Sequence, residues 1–260
     1  MSEEVHPRAD ELDGLSVFEL LELMNDEDRA AVDAVRTQLG HVARAVDEVA
    51  ARLGAGGRLH YFGAGSSGRI AELDASECAA TFGVAEDVVQ AHAVEGGATE
   101  DDRDLGIQRA RQAGLRRDDV VVAISASGST GYVLGAVEQA GLDGALRVAV
   151  ACRSGSPVAK LADIAIEIPT GPEVIAGSTR LKAGTVQKLV LNMLTTATFT
   201  RLGRTRRGRM IRLVAGNSKL RERAARIVAD LSGVSVEEAR RRLDESDGDI
   251  DAVLASVRKR

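Results

Sequence analysis

The residues best equipped for chemistry here are small, hydroxylated and suited to anions. Gly63-Ala64-Gly65-Ser66-Ser67-Gly68 falls between a strand-like run and a helical pattern. A strand-to-helix turn of that composition exposes backbone N–H groups at the positive end of a helix, and its glycines let the backbone approach a ligand closely. Phosphate is the natural guest, with Gly65, Ser66, Ser67, Gly68 and the neighbouring Arg69 as candidate ligands. A second turn, Ser125-Ala126-Ser127-Gly128-Ser129-Thr130, follows a later apolar run. It offers Ser125, Ser127, Ser129 and Thr130 to the same phosphate, or else it merely caps the following helix. Gly63, Gly65 and Gly68 also satisfy the dinucleotide spacing G-x-G-x-x-G, with Glu95 as the ribose ligand. The adjacent hydroxyls and the second turn favour the simpler phosphate site.

Such turns need strands and helices to hold them. Arg58 to Phe62, Val88 to Val94, Val120 to Ser125, Leu146 to Cys152 and Ile164 to Ile168 are short β-branched or apolar runs. Helical patterns separate them, notably Thr99 to Ala113, Thr130 to Ala140 and Thr179 to Leu202. That alternation predicts an α/β fold in three layers, a parallel sheet flanked by helices. Ligands of such sheets bind beyond the strand C-termini, where both serine turns lie. Before the sheet, Asn25 reads as the cap of one helix along which Val32, Val35, Leu39, Val42, Val46, Val49 and Leu53 repeat every three or four residues. This narrow seam covers either the chain's own sheet or a partner. After the sheet come three short helices, with Ser235 and Glu238 as a capping box and Ser246 with Asp249 as a weaker one. The organisation read from the sequence is therefore an N-terminal helical segment, 1–53, an α/β domain, 54–203, and a C-terminal helical subdomain, 204–260.

Composition narrows the options. A chain of 260 residues, 44% hydrophobic, can bury one substantial core. Cys78 and Cys152 have no CxxC spacing, and His6, His41, His60 and His92 are scattered, so neither a disulfide framework nor a bound metal is expected. The acidic start lacks the character of a signal peptide, and no stretch is long enough to span a bilayer, so no membrane is expected and the cytoplasm is the expected location. A net charge of −5 gives nucleic acid no general attraction. The basic run Arg201 to Arg212 reads as a solvated surface.

Three blocks carry a more specific likeness. FGAGSSGRIAELDASECAATFGV, AISASGSTGYV and GPEVIAGSTRLKAGTVQKLVLNML resemble the N-acetylmuramic acid 6-phosphate etherase family of the sugar isomerase domain superfamily, as does NDEDR at Asn25 to Arg29. The likeness covers roughly residues 16 to 254. It implies a lyase, free of cofactors, that releases lactate and N-acetylglucosamine 6-phosphate from the 6-phosphorylated amino sugar during cell-wall recycling. It also implies a homodimer, and the terminal helices themselves resemble a ubiquitin-associated fold without implying that partner.

The resemblance puts the proton donor at Glu77 and a second catalytic glutamate at Glu100, with Glu95 as the alternative because VEGGATEDD aligns in two ways. The chemistry needs a base for the hydrogen on carbon 2 of the opened sugar and an acid for the departing lactyl oxygen. Glu173, Ser178, Thr179, Arg180 and Lys182 cluster just before a long helix, where they could line the sugar pocket, with a plain cap of that helix as the other reading of Ser178 or Thr179. Both glutamates also have plainer readings: Glu77 shares a helix with Glu72 and Asp74 and could be a solvated face, and Glu100 could simply oppose a helix dipole. Ala79, Ala80, Ser129 and Gly131 depart from the family pattern, which leaves substrate preference open. A catalytically silent sugar-phosphate sensor and a sugar-phosphate isomerase are the alternative functions. A sensor needs the serine turns but no carboxylate pair.

Overall fold

The computed structural model describes residues 4–213 and 215–257. The N-terminal segment forms two helices, α1 (Val17–Arg36) and α2 (Leu39–Gly54). Asn25 is therefore not a cap but lies inside α1. The true cap is Ser16, which exchanges hydrogen bonds with Glu19 in a capping box, and a break at Thr37–Gln38 divides the helix expected to be continuous. Of the seam residues, Val35, Val42, Val46 and Val49 are buried against the sheet, whereas Val32 and Leu39 face outward.

Strand β1 (Leu59–Ala64) leads into α3 (Gly65–Phe82), then β2 (Val89–Val94), α4 (Arg103–Ala113), β3 (Val120–Ser125) and α5 (Gly131–Leu142). The chain continues through β4 (Leu146–Ala151), the short α6 (Pro157–Leu161), β5 (Ile164–Glu167) and the long α7 (Lys182–Arg201). All five strands anticipated from the sequence form, and they pair in parallel in the order β2-β1-β3-β4-β5. Alternation across the pleat divides the core. Leu59, Tyr61, Val120, Val122 and Ile124 face a layer that includes α1, α2, α3 and α7, and Phe62, Val121 and Ala123 face α4, α5 and α6. The architecture is thus three layers, with the N-terminal helices sharing the sheet's own core.

The strand order places the ligand crevice. From β1 the chain moves outward to β2 and then returns to β3 on the other side of β1, so the connections diverge at the adjacent β1 and β3. Open α/β sheets bind ligands at that switch point. Both serine turns leave the sheet there, one from each strand.

Beyond the sheet, β6 (Thr205–Arg206) and β7 (Arg209–Met210) make a small hairpin before α8 (Ser218–Ser232), α9 (Val236–Glu245) and α10 (Ile250–Val257). The hairpin turn sets Arg207 and Gly208 at positive φ. The basic run does more than meet solvent. Arg206 and Arg212 both pair with Asp251, and Arg209 pairs with Asp230, so the arginines fasten the terminal helices. Ile211 and Leu213 complete that unit's separate apolar cluster.

Candidate active site

Two turns and one loop converge on a cavity of about 260 Å³. Its walls are Ala64, Gly65, Ser66 and Ser67 from the first turn, Ala126, Ser127, Ser129 and Thr130 from the second, Glu100 and Asp101 from the loop after β2, and Gly177 and Thr179 before α7.

The first turn follows from local stereochemistry. Gly65 starts α3 at φ 54°, a left-handed geometry that favours glycine. A Cβ on Gly63 would come within 2.9 Å of the Gly68 nitrogen, and one on Gly68 within 2.9 Å of the Gly63 oxygen. These glycines let the turn close on itself, so Gly63 and Gly68 are required for packing as much as for a ligand. Ser67 spends its hydroxyl on Gln187 of α7, donating at 3.0 Å, while Ser66 is half-buried at the rim. Arg69, one turn along α3, pairs with Glu95 at 3.3 Å and reaches Ser66 Oγ at 3.5 Å.

Ser125 organises the second turn from beneath. Its buried Oγ accepts from the Gly128 N–H at 2.9 Å and bonds Thr130 Oγ1 at 2.8 Å. Ser127 Oγ accepts from both the N–H and the hydroxyl of Ser129. Ser127, Ser129 and Thr130 thereby face the cavity, and the Ser125 hydroxyl is committed to the turn itself.

Glu100 sits between these turns. A Cβ on Gly96 would lie 3.6 Å from its Oε2, and the Gly96 Cα in turn lies 3.9 Å from where Gly65 would carry a Cβ. The carboxyl is therefore set beside the first serine turn. The competing Glu95 is 87% exposed at its side chain and tied to Arg69. Asp101, not anticipated from the sequence, adds a second carboxyl to the lining, and its only signal was adjacency to Glu100.

Other expected ligands are placed differently. Glu173 is 1% exposed and caps α7, accepting from the backbone N–H of Lys182 at 3.0 Å and of Ala183 at 2.9 Å. Lys182 is buried, with its ammonium against Glu27 of α1, whose other oxygen is 3.3 Å from His6 Nε2. Ser178 is half-buried and Arg180 exposed, and neither lines the cavity. Glu77 is exposed on α3, twelve residues beyond Gly65, which places it roughly 18 Å along the helix axis. One chain thus brings Glu100, and not Glu77, to the serine turns. Among the described residues no cluster of His, Cys, Asp or Glu is arranged to hold a metal, and no helix is long and apolar enough to cross a membrane.

A parallel sheet with hydroxyl-rich turns at its switch point defines a sugar isomerase domain, and the family model for the SIS domain matches residues 104–197. The fold is shared with phosphoheptose isomerases from Francisella tularensis (18% identity, TM-score 0.54, 72% of this chain and 99% of that one) and Neisseria gonorrhoeae (20%, 0.52, 70% and 97%). The chain belongs to the N-acetylmuramic acid 6-phosphate etherase family. Relatives of that name from Geobacillus thermodenitrificans and Yersinia pestis are each 44% identical, over 98% and 100% of this chain and 90% of their own length. One from Streptomyces avermitilis is 44% identical over 98% of this chain and 85% of its own.

Proposed function

We propose that this protein is a carbon–oxygen lyase that splits the D-lactyl ether of N-acetylmuramic acid 6-phosphate into N-acetylglucosamine 6-phosphate and D-lactate. Its setting is the recycling of cell-wall amino sugars in the cytoplasm. The observation that carries the reading is the placement of the Glu100 carboxyl in one cavity with both serine turns. A pure sensor would need the turns and have no use for that group.

In the proposed reaction the phosphoryl group rests on the N–H groups at the start of α3 and on the hydroxyls of Ser66, Ser127, Ser129 and Thr130. The sugar opens to its aldehyde, which acidifies the hydrogen on carbon 2. Glu100 takes that proton, the bond from carbon 3 to the lactyl oxygen breaks, and an acid protonates the departing lactate. Water then adds its hydroxyl to carbon 3, and a proton returns to carbon 2, so atoms balance at each step.

The acid is assigned to Glu77 of the partner subunit in a homodimer. Glu77 of the same chain lies too far along α3 to meet a sugar held at Gly65. Glu77 is exposed on α3, one turn beyond the half-exposed Leu73, and so is open to approach by a second chain.

Lactate release from N-acetylmuramic acid 6-phosphate tests the activity, and no release would overturn it. Mixing Glu77→Gln with Glu100→Gln protein under subunit exchange tests the shared site. Each mixed dimer rebuilds one complete site of two, so about a quarter of wild-type activity returns if subunits share residues, and none returns if each site is built from one chain.

A further inference from the structure

The loop that carries Glu100 is held by backbone against backbone. The N–H of Tyr132, in the first turn of α5, donates to the Glu100 carbonyl at 2.9 Å. Beside it, a Cβ on Gly131 would stand 2.2 Å from the Asp101 carbonyl oxygen and 2.7 Å from its carbon. Real Cβ atoms do not approach so closely, and neither neighbour is a side chain that could swing away. Gly131 is not at positive φ. Alanine would suit its backbone angles, and the sole objection is space.

Two further glycines repeat the contact away from the cavity. A Cβ on Gly106 would meet the Tyr132 oxygen at 1.9 Å, and one on Gly135 the Arg103 oxygen at 2.0 Å. Helices α4 and α5 are thus pressed together along their backbones, and Gly131 is the contact nearest the chemistry. The preceding residue, Thr130, lines one wall of the cavity while Glu100 and Asp101 line another. The separation of those walls is set at Gly131.

We propose that Gly131 is a positioning residue for proton abstraction: its bare Cα lets the Asp101 carbonyl seat against α5, and that seat fixes how far the Glu100 carboxyl reaches toward carbon 2. The inference rests on the reading of Glu100 as the base. Displacing the Asp101 carbonyl by about an ångström moves the carboxyl by a similar amount, and misplacement on that scale costs up to roughly a hundredfold in rate. Binding of the phosphate, which relies on the two serine turns, is left nearly intact.

The experiment compares Gly131→Ala, Glu100→Gln and the double variant. Gly131→Ala lowers kcat by roughly ten- to a hundredfold with KM within about threefold, and it raises the isotope effect measured with substrate deuterated at carbon 2. In the Glu100→Gln background the same change has no further effect on the residual rate, because a missing base has no position to lose. A kcat within about twofold of wild type, or an equal extra loss in the Glu100→Gln background, overturns the proposal and leaves the assignment of the base standing. Full activity of Glu100→Gln overturns that assignment instead. Should Gly131→Ala fail to fold, Glu100→Asp withdraws the carboxyl by one methylene on an intact backbone. Wild-type kcat in that variant would equally sink the role of position.

Discussion

His60 Nδ1 lies 3.0 Å from His92 Nε2, inside the sheet where β1 meets its edge neighbour β2. One ring must donate and the other accept, so the accepting imidazole has to be neutral. The surroundings enforce that state. Burial, then the neighbouring His92 and Arg58, push the His60 pKa down to about 4, against the opposing pull of Asp119. Burial, Arg109 and Arg58 push His92 down to about 4 as well. The Tyr132 hydroxyl donates to the His92 carbonyl from α5 and adds no charge.

Stability should consequently fall in mild acid. An unfolded histidine titrates near 6.5, so between pH 6.5 and about 4 the unfolded chain binds more protons than the folded one. The contribution of both rings is complete above pH 6.5 and is lost progressively toward pH 4. Asp119 extends the loss: burial raises its pKa, but hydrogen bonds from Arg58 and Arg116 outweigh that and hold it at about 2. The urea midpoint should drop steeply from pH 7 to pH 4.5, and His92→Gln should flatten the slope. A midpoint constant across that range would remove the pair from the account.

Glu173 should matter to folding first and to substrate second. Its carboxylate satisfies two of the free N–H groups at the start of α7 while almost wholly buried. Glu173→Ala leaves both amides unpaired and should cost about 2–4 kcal/mol, with Glu173→Gln in between because its amide oxygen can still accept. Denaturant unfolding measures this. An unchanged midpoint with a raised KM would return Glu173 to the sugar pocket.

Lys182 and Glu27 should respond unequally to neutralisation. The Lys182 side chain is 4% exposed and that of Glu27 is 28% exposed. Removing the lysine charge leaves a carboxylate that still reaches water and His6. Removing the glutamate charge strands a buried ammonium, the more expensive fault. Glu27→Gln should destabilise by roughly 3 kcal/mol and Lys182→Met by about 1, and the reverse order would show that the ammonium finds another partner.

The sequence made the strands, their parallel class and both serine turns legible, because β-branched runs and Gly/Ser spacing are local signals. Position along the chain could not say which polar side chains turn inward. Glu173 and Lys182 looked like ligands because they cluster before α7, yet their partners are that helix's own amides and a residue on α1. Asn25 resembled a cap, but Ser16 with Glu19 starts the helix nine residues earlier, and its last turns run on to Arg36. The basic run read as surface because Asp230 and Asp251 are distant in sequence. Glu77 was singled out only through resemblance, since its own surroundings are those of an exposed helix face.

The two serine turns allow a sharper separation of support from binding. Ser125 is 2% exposed, and its hydroxyl joins the Gly128 amide to Thr130, with Ser127 Oγ a further 3.4 Å away. Ser127 reaches the cavity, and its hydroxyl bonds within the turn. Ser125→Ala therefore removes the connection that aims three other hydroxyls, so it should both lower the unfolding midpoint, by the equivalent of about 1–3 kcal/mol, and raise KM for the 6-phosphate sugar. Ser127→Ala should raise KM by roughly tenfold, leaving the midpoint and kcat near wild type, since a phosphate contact far from carbons 2 and 3 binds substrate and transition state alike. Steady-state kinetics beside thermal unfolding distinguishes them. Should Ser127→Ala lower kcat while sparing KM, the hydroxyl would belong to the reacting end of the sugar, and the phosphate would have to sit elsewhere in the cavity.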